Sequence, residues 1–259
     1  MKIVGIVAEY NPFHNGHKIH ILETKKAVGG DVGIVCCMSG DFVQRGEPAI
    51  FSKHARAKAA IAGGADLILE LPLPWSLSSA ESFAGGAVGI LGEIRCVDYL
   101  SFGSECGEVN PLYTVASALL NTSVSEQILC ELKTGVSYAT ARQTVLTRNI
   151  GELAAVLESP NNILAIEYIK SLIINSYDMK PITFLRFGAG HDDDSDDEQF
   201  RSASYIRADI LSGASVSDFI PAAVLEIINS EIKNGRGPIS TEKMELMLLS
   251  LLRMKNRDV

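Results

Sequence analysis

Five short apolar runs recur along the chain, separated by segments long enough for helices, and this alternation constrains the fold more than any other feature. The runs are KIVGIVA (2–8), DVGIVCCM (31–38), ADLILEL (65–71), CVDYLSFG (96–103) and PITFLRF (181–187). Continuous apolar character without in–out alternation marks strands buried on both faces, which requires helices on both sides of a parallel sheet. The predicted class is therefore α/β, a doubly wound, Rossmann-like parallel sheet. Helices are expected over about 15–27, over about 53–62 with Ser52 as N-cap and Gly63-Gly64 as closure, and over about 79–91. The stretch 111–175 reads as a helical insertion, with Ser159-Pro160-Asn161-Asn162 opening a helix to about 174. SASYIRADIL (202–211) is a capped helix start, and the rest is helical. The expected division is a core over 1–212 and a helical C-terminal segment over 213–259.

The chain has 259 residues, 47% hydrophobic and 21% charged, an ordinary globular composition that excludes a disordered chain. Five cysteines (Cys36, Cys37, Cys96, Cys106, Cys130) without CxxC spacing fit free thiols in a reducing compartment and no metal site. The opening segment turns polar too soon for a signal peptide, and no run reaches the length of a membrane span. A soluble, cytoplasmic protein with no membrane partner is expected. The net charge of -8 argues against a strongly electrostatic nucleic-acid binder. Six of those charges sit in one run, Asp192, Asp193, Asp194, Asp196, Asp197 and Glu198, which reads as a solvated loop.

The segment that carries chemistry is Asn11-Pro12-Phe13-His14-Asn15-Gly16-His17, where the first strand gives way to the first helix. Ligands of parallel α/β sheets bind at the carboxyl ends of strands, and a helix N-terminus offers free N–H groups and a positive dipole to phosphate. His14 and His17, three residues apart, present both rings on one side. Gly16 removes a side chain where a nucleotide would approach. Two imidazoles there can donate hydrogen bonds to phosphate oxygens that gain charge as pyrophosphate leaves.

HNGH after a first strand resembles the HxGH signature of the HIGH-type nucleotidyltransferases. VAEYNPFHNGHKIH (7–20), MSGDFVQRGEPA (38–49), SKHARAKAA (52–60), DLILELP (66–72), FGSECG (102–107) and SPNNILAIEY (159–168) together resemble the tRNA(Met) cytidine acetate ligases, over about residues 1–212. That resemblance implies an enzyme that activates acetate at the α-phosphate of ATP, with magnesium, releasing pyrophosphate. It then transfers acetyl from acetyl-adenylate to the N4 amine of the wobble cytidine of elongator tRNA(Met). A small-molecule adenylyltransferase and a nucleotide- or RNA-binding module without turnover are the alternatives.

Carried onto this chain, the resemblance makes His14 and His17 catalytic. It places ATP on Val7, Ala8, Glu9, Tyr10, Asn11, Pro12, Phe13, His14, Asn15, Gly16, His17, Lys18, Ile19 and His20, with Gly103, Asn161, Arg186 and Phe187. An N-cap role for Asn161 and a surface ion pair for Arg186 remain open. The loop after the second strand offers Asp41, Gln44 and Arg45 to acetate, the acceptor amine or magnesium, with an Arg45–Glu47 ion pair as the other reading. Lys53, Arg56 and Lys58 are candidate tRNA phosphate contacts. Ser202 and Ser204 resemble a superfamily element that binds triphosphate at a helix N-terminus, with Tyr205 departing from its pattern. Family members extend further into a C-terminal domain, of which 213–259 is expected to be the beginning.

Overall fold

The computed structural model describes residues 1–186 and 201–255. Its centre is one parallel sheet in the order β3-β2-β1-β4-β5, built from β1 (Lys2–Ala8), β2 (Val32–Ser39), β3 (Leu67–Leu71), β4 (Tyr99–Ser104) and β5 (Lys180–Leu185). The first three strands step outward in one direction and the last two in the other, so the topological switch lies between β1 and β4. A crevice opens there at the carboxyl ends of the strands.

Eleven α-helices are described: α1 (Asn15–Val28), α2 (Lys53–Ala62), α3 (Leu73–Ser76), α4 (Ala80–Glu93), α5 (Val109–Leu119), α6 (Thr122–Leu132), α7 (Tyr138–Ile150), α8 (Pro160–Asn175), α9 (Ala203–Ser212), α10 (Ala222–Lys233) and α11 (Thr241–Lys255). They divide the apolar residues into two clusters, one on each face of the sheet. Val4, Ile6, Ile34, Cys36 and Met38 point to the face covered by α1, α2, α9 and α10. Val35, Cys37, Leu100 and Phe102 point to the face covered by α4, α5, α7 and α8. Neighbouring residues of β2 thus supply opposite cores, the strand periodicity of two. Burial pushes the Cys36 and Cys37 thiols up to about 12.

The doubly wound class and all five strands appear where the apolar runs predict, with β2 and β5 starting within one residue of expectation and β3 and β4 starting later. β3 begins at Leu67 and β4 at Tyr99, because Asp66 and Asp98 are spent on their neighbours. The Asp66 carboxylate accepts the Ile34 N–H at 2.7 Å, and Asp98 accepts the Ile3 N–H at 2.7 Å. Each aspartate anchors the adjacent strand. Ser52, Ser79 and Ser202 cap their helices by accepting N–H groups of Ala55, Ser82 and Tyr205. Pro72 and Pro74 do more than stop β3: with Pro72 extended as the cap, Leu73–Ser76 forms the short α3, which the sequence reading missed.

Candidate active site

The turn from β1 to α1 is held from behind by core side chains. Tyr10 takes a left-handed φ of 46°, which reverses the chain direction just past the strand. Its hydroxyl lies 3.4 Å from Cys36 Sγ. Phe13 is fully buried, its ring occupying the space a side chain on Gly63 would need. Asn11 is buried and accepts the Ile50 N–H at 2.8 Å. Tyr10, Asn11, Pro12 and Phe13 thus anchor the loop, and His14, Gly16, His17, Ile19 and His20 front the open side.

His14 is the N-cap of α1, not part of its first turn. Its Nδ1 accepts the Gly16 N–H at 3.1 Å, while His17 Nδ1 accepts the His14 N–H at 3.2 Å, a reciprocal capping box made of two imidazoles. The rings stack with centroids 3.7 Å apart. A neutral imidazole that accepts at Nδ1 carries its proton on Nε2, so both rings are fixed as Nε2–H donors. Neutrality follows from the surroundings. Burial and the nearby Arg186 charge push His14 down to about 4. His17 is held well below the usual range by burial, then by His14 and Arg186.

Two details refine the sequence reading. Gly16 has a further role: a Cβ there would stand 2.9 Å from His14 Cε1, so the missing side chain makes room for the His14 ring. The amides at the start of α1 are also engaged. Asn15 N–H donates to Phe219 O at 2.8 Å, Gly16 N–H to the His14 ring, and His17 N–H to His14 O at 3.0 Å. What this end presents to a ligand is imidazole N–H on a helix dipole rather than a nest of free backbone donors.

His20, one further turn along, sets its Nε2 2.9 Å from Ser101 Oγ, which in turn lies 2.7 Å from Thr24 Oγ1. Burial and Arg186 push it down to about 4. Across the crevice, Arg186 follows β5 and its Nη1 donates to Asn161 Oδ1 at 2.7 Å. Gly103 fits beneath: a Cβ there would stand 2.8 Å from Arg186 Cγ. Asn161 is not an N-cap, since Ser159 holds that position and Pro160 opens α8. Its Nδ2 donates to Glu105 Oε1 at 2.6 Å.

The β2 side of the crevice is built differently from expectation. Gln44 lines it and donates its backbone N–H to Glu9 Oε1 at 2.8 Å. Asp41 is turned to α2, accepting the Lys53 N–H at 2.7 Å, and Lys53 Nζ pairs with Glu70 at 2.8 Å. Neither Asp41 nor Lys53 borders the crevice. Arg56 faces inward, so it is no candidate for tRNA phosphate: it is 2% exposed and donates to the carbonyls of Phe51, Ser39, Gly40 and Glu9. It ties the ends of β1 and β2 together. Ser202 caps α9 and Ser204 accepts from Arg207 Nη2 at 3.3 Å, while Arg207 Nη1 donates to Asn11 O at 3.0 Å. Tyr205 is half exposed. Phe187, the acidic run 192–198 and the side chain of Arg45 lie outside the described residues.

The crevice has two lobes. One, of about 260 Å³, is lined by Val7, Ala8, Glu9, Gln44, Phe102, Asn161, Tyr168 and Arg207 among others; the second, of about 110 Å³, by His14, Gly16, Ile19 and Phe184. His17, His20, Gly103 and Arg186 border both. Lys18 and Asn15 stand outside it, Asn15 Nδ2 donating to Asp218 O at 2.9 Å. Neutral histidine donors, with Arg207 beside their loop and Arg186 following β5, suit a polyanion, with apolar lining from Phe102 and Tyr168. Sequence reasoning missed Tyr168, Leu164, Glu105 and Arg207. Asn161, Leu164 and Tyr168 follow an i, i+3, i+7 spacing, a helical face that could have been read from the start of α8.

The model of the HIGH nucleotidyl transferase family matches residues 1–259. A tRNA(Met) cytidine acetate ligase of Acetivibrio thermocellus is 42% identical over 98% of this chain and 63% of its own length. That of Thermosipho melanesiensis is 38% identical over 99% and 61%. Crystal structures of Thermotoga maritima TmcAL superpose with TM-scores of 0.89, bound with alpha-thio ATP, and 0.91, apo. These are 37% and 38% identical, covering 98% and 100% of this chain and 61% and 63% of theirs. The chain spans about three fifths of the length of the relatives it matches. With strands, switch-point crevice and paired histidines in agreement, the chain belongs to the HIGH nucleotidyl transferase family.

Proposed function

We propose that the crevice binds ATP and activates acetate on its α-phosphate, and that the acetyl group passes to the N4 amine of the wobble cytidine of elongator tRNA(Met). The observation that carries this reading is the His14–His17 pair, both rings neutral and fixed as Nε2–H donors opposite Arg186. The names of the Acetivibrio and Thermosipho relatives, and the alpha-thio ATP in the Thermotoga neighbour, support the choice of substrates.

An acetate oxygen attacks the α-phosphorus and the bond to the β-phosphate oxygen breaks. Negative charge gathers on the departing pyrophosphate, where the two Nε2–H groups donate. A neutral donor suits this step, because it strengthens with the developing charge and does not bind the starting triphosphate as tightly as a cation would. Arg186, held by Asn161, and Arg207, held by Asn11 O, supply the permanent positive charge. The cytidine amine then attacks the acetyl carbonyl and AMP leaves. Magnesium takes one or two carboxylates together with phosphate oxygens. Among the described residues Glu9 and Glu23 are the carboxylates on the crevice wall that would hold it, with the triphosphate supplying further oxygens.

Pyrophosphate release from ATP, measured with acetate alone and with elongator tRNA(Met) added, tests the proposal. Acetate-dependent release that rises with tRNA is expected. Release driven by a phosphorylated small molecule and indifferent to acetate would move the chain to the adenylyltransferases. ATP binding without release would make it a nucleotide-binding module.

A further inference from the structure

We infer that Glu105 is a positioning residue for ATP, acting through the Asn161 amide on the Arg186 guanidinium. The inference rests on the proposed ATP site and adds to it a residue outside the crevice lining.

Three N–H donors converge on the Glu105 carboxylate. Asn161 Nδ2 reaches Oε1 at 2.6 Å, the Asn161 backbone N–H reaches Oε1 at 3.2 Å, and the Asn162 backbone N–H reaches Oε2 at 2.8 Å. The contact is reciprocal, because Asn162 Oδ1 accepts the backbone N–H groups of Glu105 at 2.9 Å and Cys106 at 3.1 Å. The loop after β4 and the first turn of α8 are thereby locked in one register.

The polarity of this cluster decides what Arg186 meets. A carboxylate only accepts and a guanidinium only donates, so an amide between them has one orientation: Nδ2 toward Glu105, Oδ1 toward Arg186. With Oδ1 holding Nη1 at 2.7 Å and its stem lying over Gly103, the guanidinium of Arg186 is fixed on the crevice lining. Among the described residues no other hydrogen bond engages the guanidinium, so its remaining N–H groups can meet ligand oxygens in the forked geometry suited to phosphate. A glutamine at 105 has one acceptor atom for three donors. Either a helix amide loses its partner or the Asn161 amide turns over and presents N–H to a guanidinium.

A double-mutant cycle on affinity for a non-hydrolysable ATP analogue, measured by calorimetry, tests this, with the thermal midpoint of each variant recorded alongside. In the unaltered chain, Glu105→Gln is expected to weaken the analogue about 10-fold, the worth of one charge-assisted hydrogen bond. In an Arg186→Met background the same change is expected to shift affinity less than about 2-fold, because the group it acts through is gone. Asn161→Ala should reproduce the Glu105→Gln loss and not add to it. Equal losses with and without Arg186, tracking the thermal midpoint, would reduce Glu105 to a support of α8 and overturn the inference. So would unchanged affinity in Glu105→Gln. Failure of the unaltered chain to bind the analogue would instead overturn the ATP site itself, and the inference with it.

Discussion

The His14 and His17 rings stack with centroids 3.7 Å apart and 28° between their planes, while His14 Nδ1 accepts the Gly16 N–H and His17 Nδ1 accepts the His14 N–H. One pair of side chains therefore closes the helix end and aims two donors. These duties are separable by substitution. Asparagine is a preferred N-cap residue, so His14→Asn should keep stability within about 0.5 kcal/mol while removing the Nε2–H. Turnover in pyrophosphate release should fall about 10²–10³-fold, as for loss of one oxyanion-type donor, with a much smaller change in ATP affinity. A loss of ATP affinity with turnover at saturating ATP unchanged would show that the ring serves ground-state binding alone.

Gly16 guards that arrangement. A methyl group there meets the His14 ring at 2.9 Å, so Gly16→Ala should displace the ring from its cap. The expected outcome is about 1 kcal/mol of lost stability in urea unfolding, the usual cost of a cap, with turnover reduced at least about 10-fold. Unchanged turnover would mean the ring position is not critical.

The histidines also set a pH response. His14 and His20 sit near 4 in the folded chain against an ordinary value of 6.5, so between those limits the unfolded chain takes up protons that the folded chain refuses. Stability is full above about pH 6.5 and declines as pH falls toward 4, by up to about 1.4 kcal/mol per pH unit for each histidine. Unfolding midpoints across that window should show the slope, and a His14→Asn/His20→Asn double variant should reduce it, leaving the share of His17. An unchanged slope in the double variant would assign the acid sensitivity elsewhere.

Arg56 offers a test in the core. Its buried guanidinium serves four carbonyls at the ends of β1, β2 and the loop before α2. Arg56→Met would leave those acceptors buried without donors, at about 1–3 kcal/mol each where relaxation does not rescue them. A loss of about 3 kcal/mol or more is expected in chemical denaturation. A loss below about 1 kcal/mol would show that water replaces the guanidinium.

The sheet was legible because burial on both faces leaves continuous apolar runs, and the position of HNGH followed from the first of those runs. What could not be read was direction. Nothing in SKHARAKAA tells that Arg56 turns inward while Lys53 turns to Glu70, because that depends on which carbonyls β1 and β2 leave open. The role of Gly16 was hidden for a related reason, since the atom filling its space belongs to a cap two residues earlier. Glu105 stood in view within FGSECG, but its donors arrive from α8, more than fifty residues away. Local pattern reports burial and period; pairing between distant segments is fixed only when the sheet closes.

The most direct test of acetate activation follows an oxygen atom. With acetate carrying ¹⁸O in both carboxylate positions, attack on the α-phosphorus leaves one labelled oxygen bound to phosphorus, and it departs with AMP when the cytidine amine takes the acetyl group. Mass spectrometry of the AMP formed in the presence of elongator tRNA(Met) should show one ¹⁸O per molecule, with pyrophosphate unlabelled. AMP free of label, or ADP and phosphate as the products, would contradict activation at the α-phosphate.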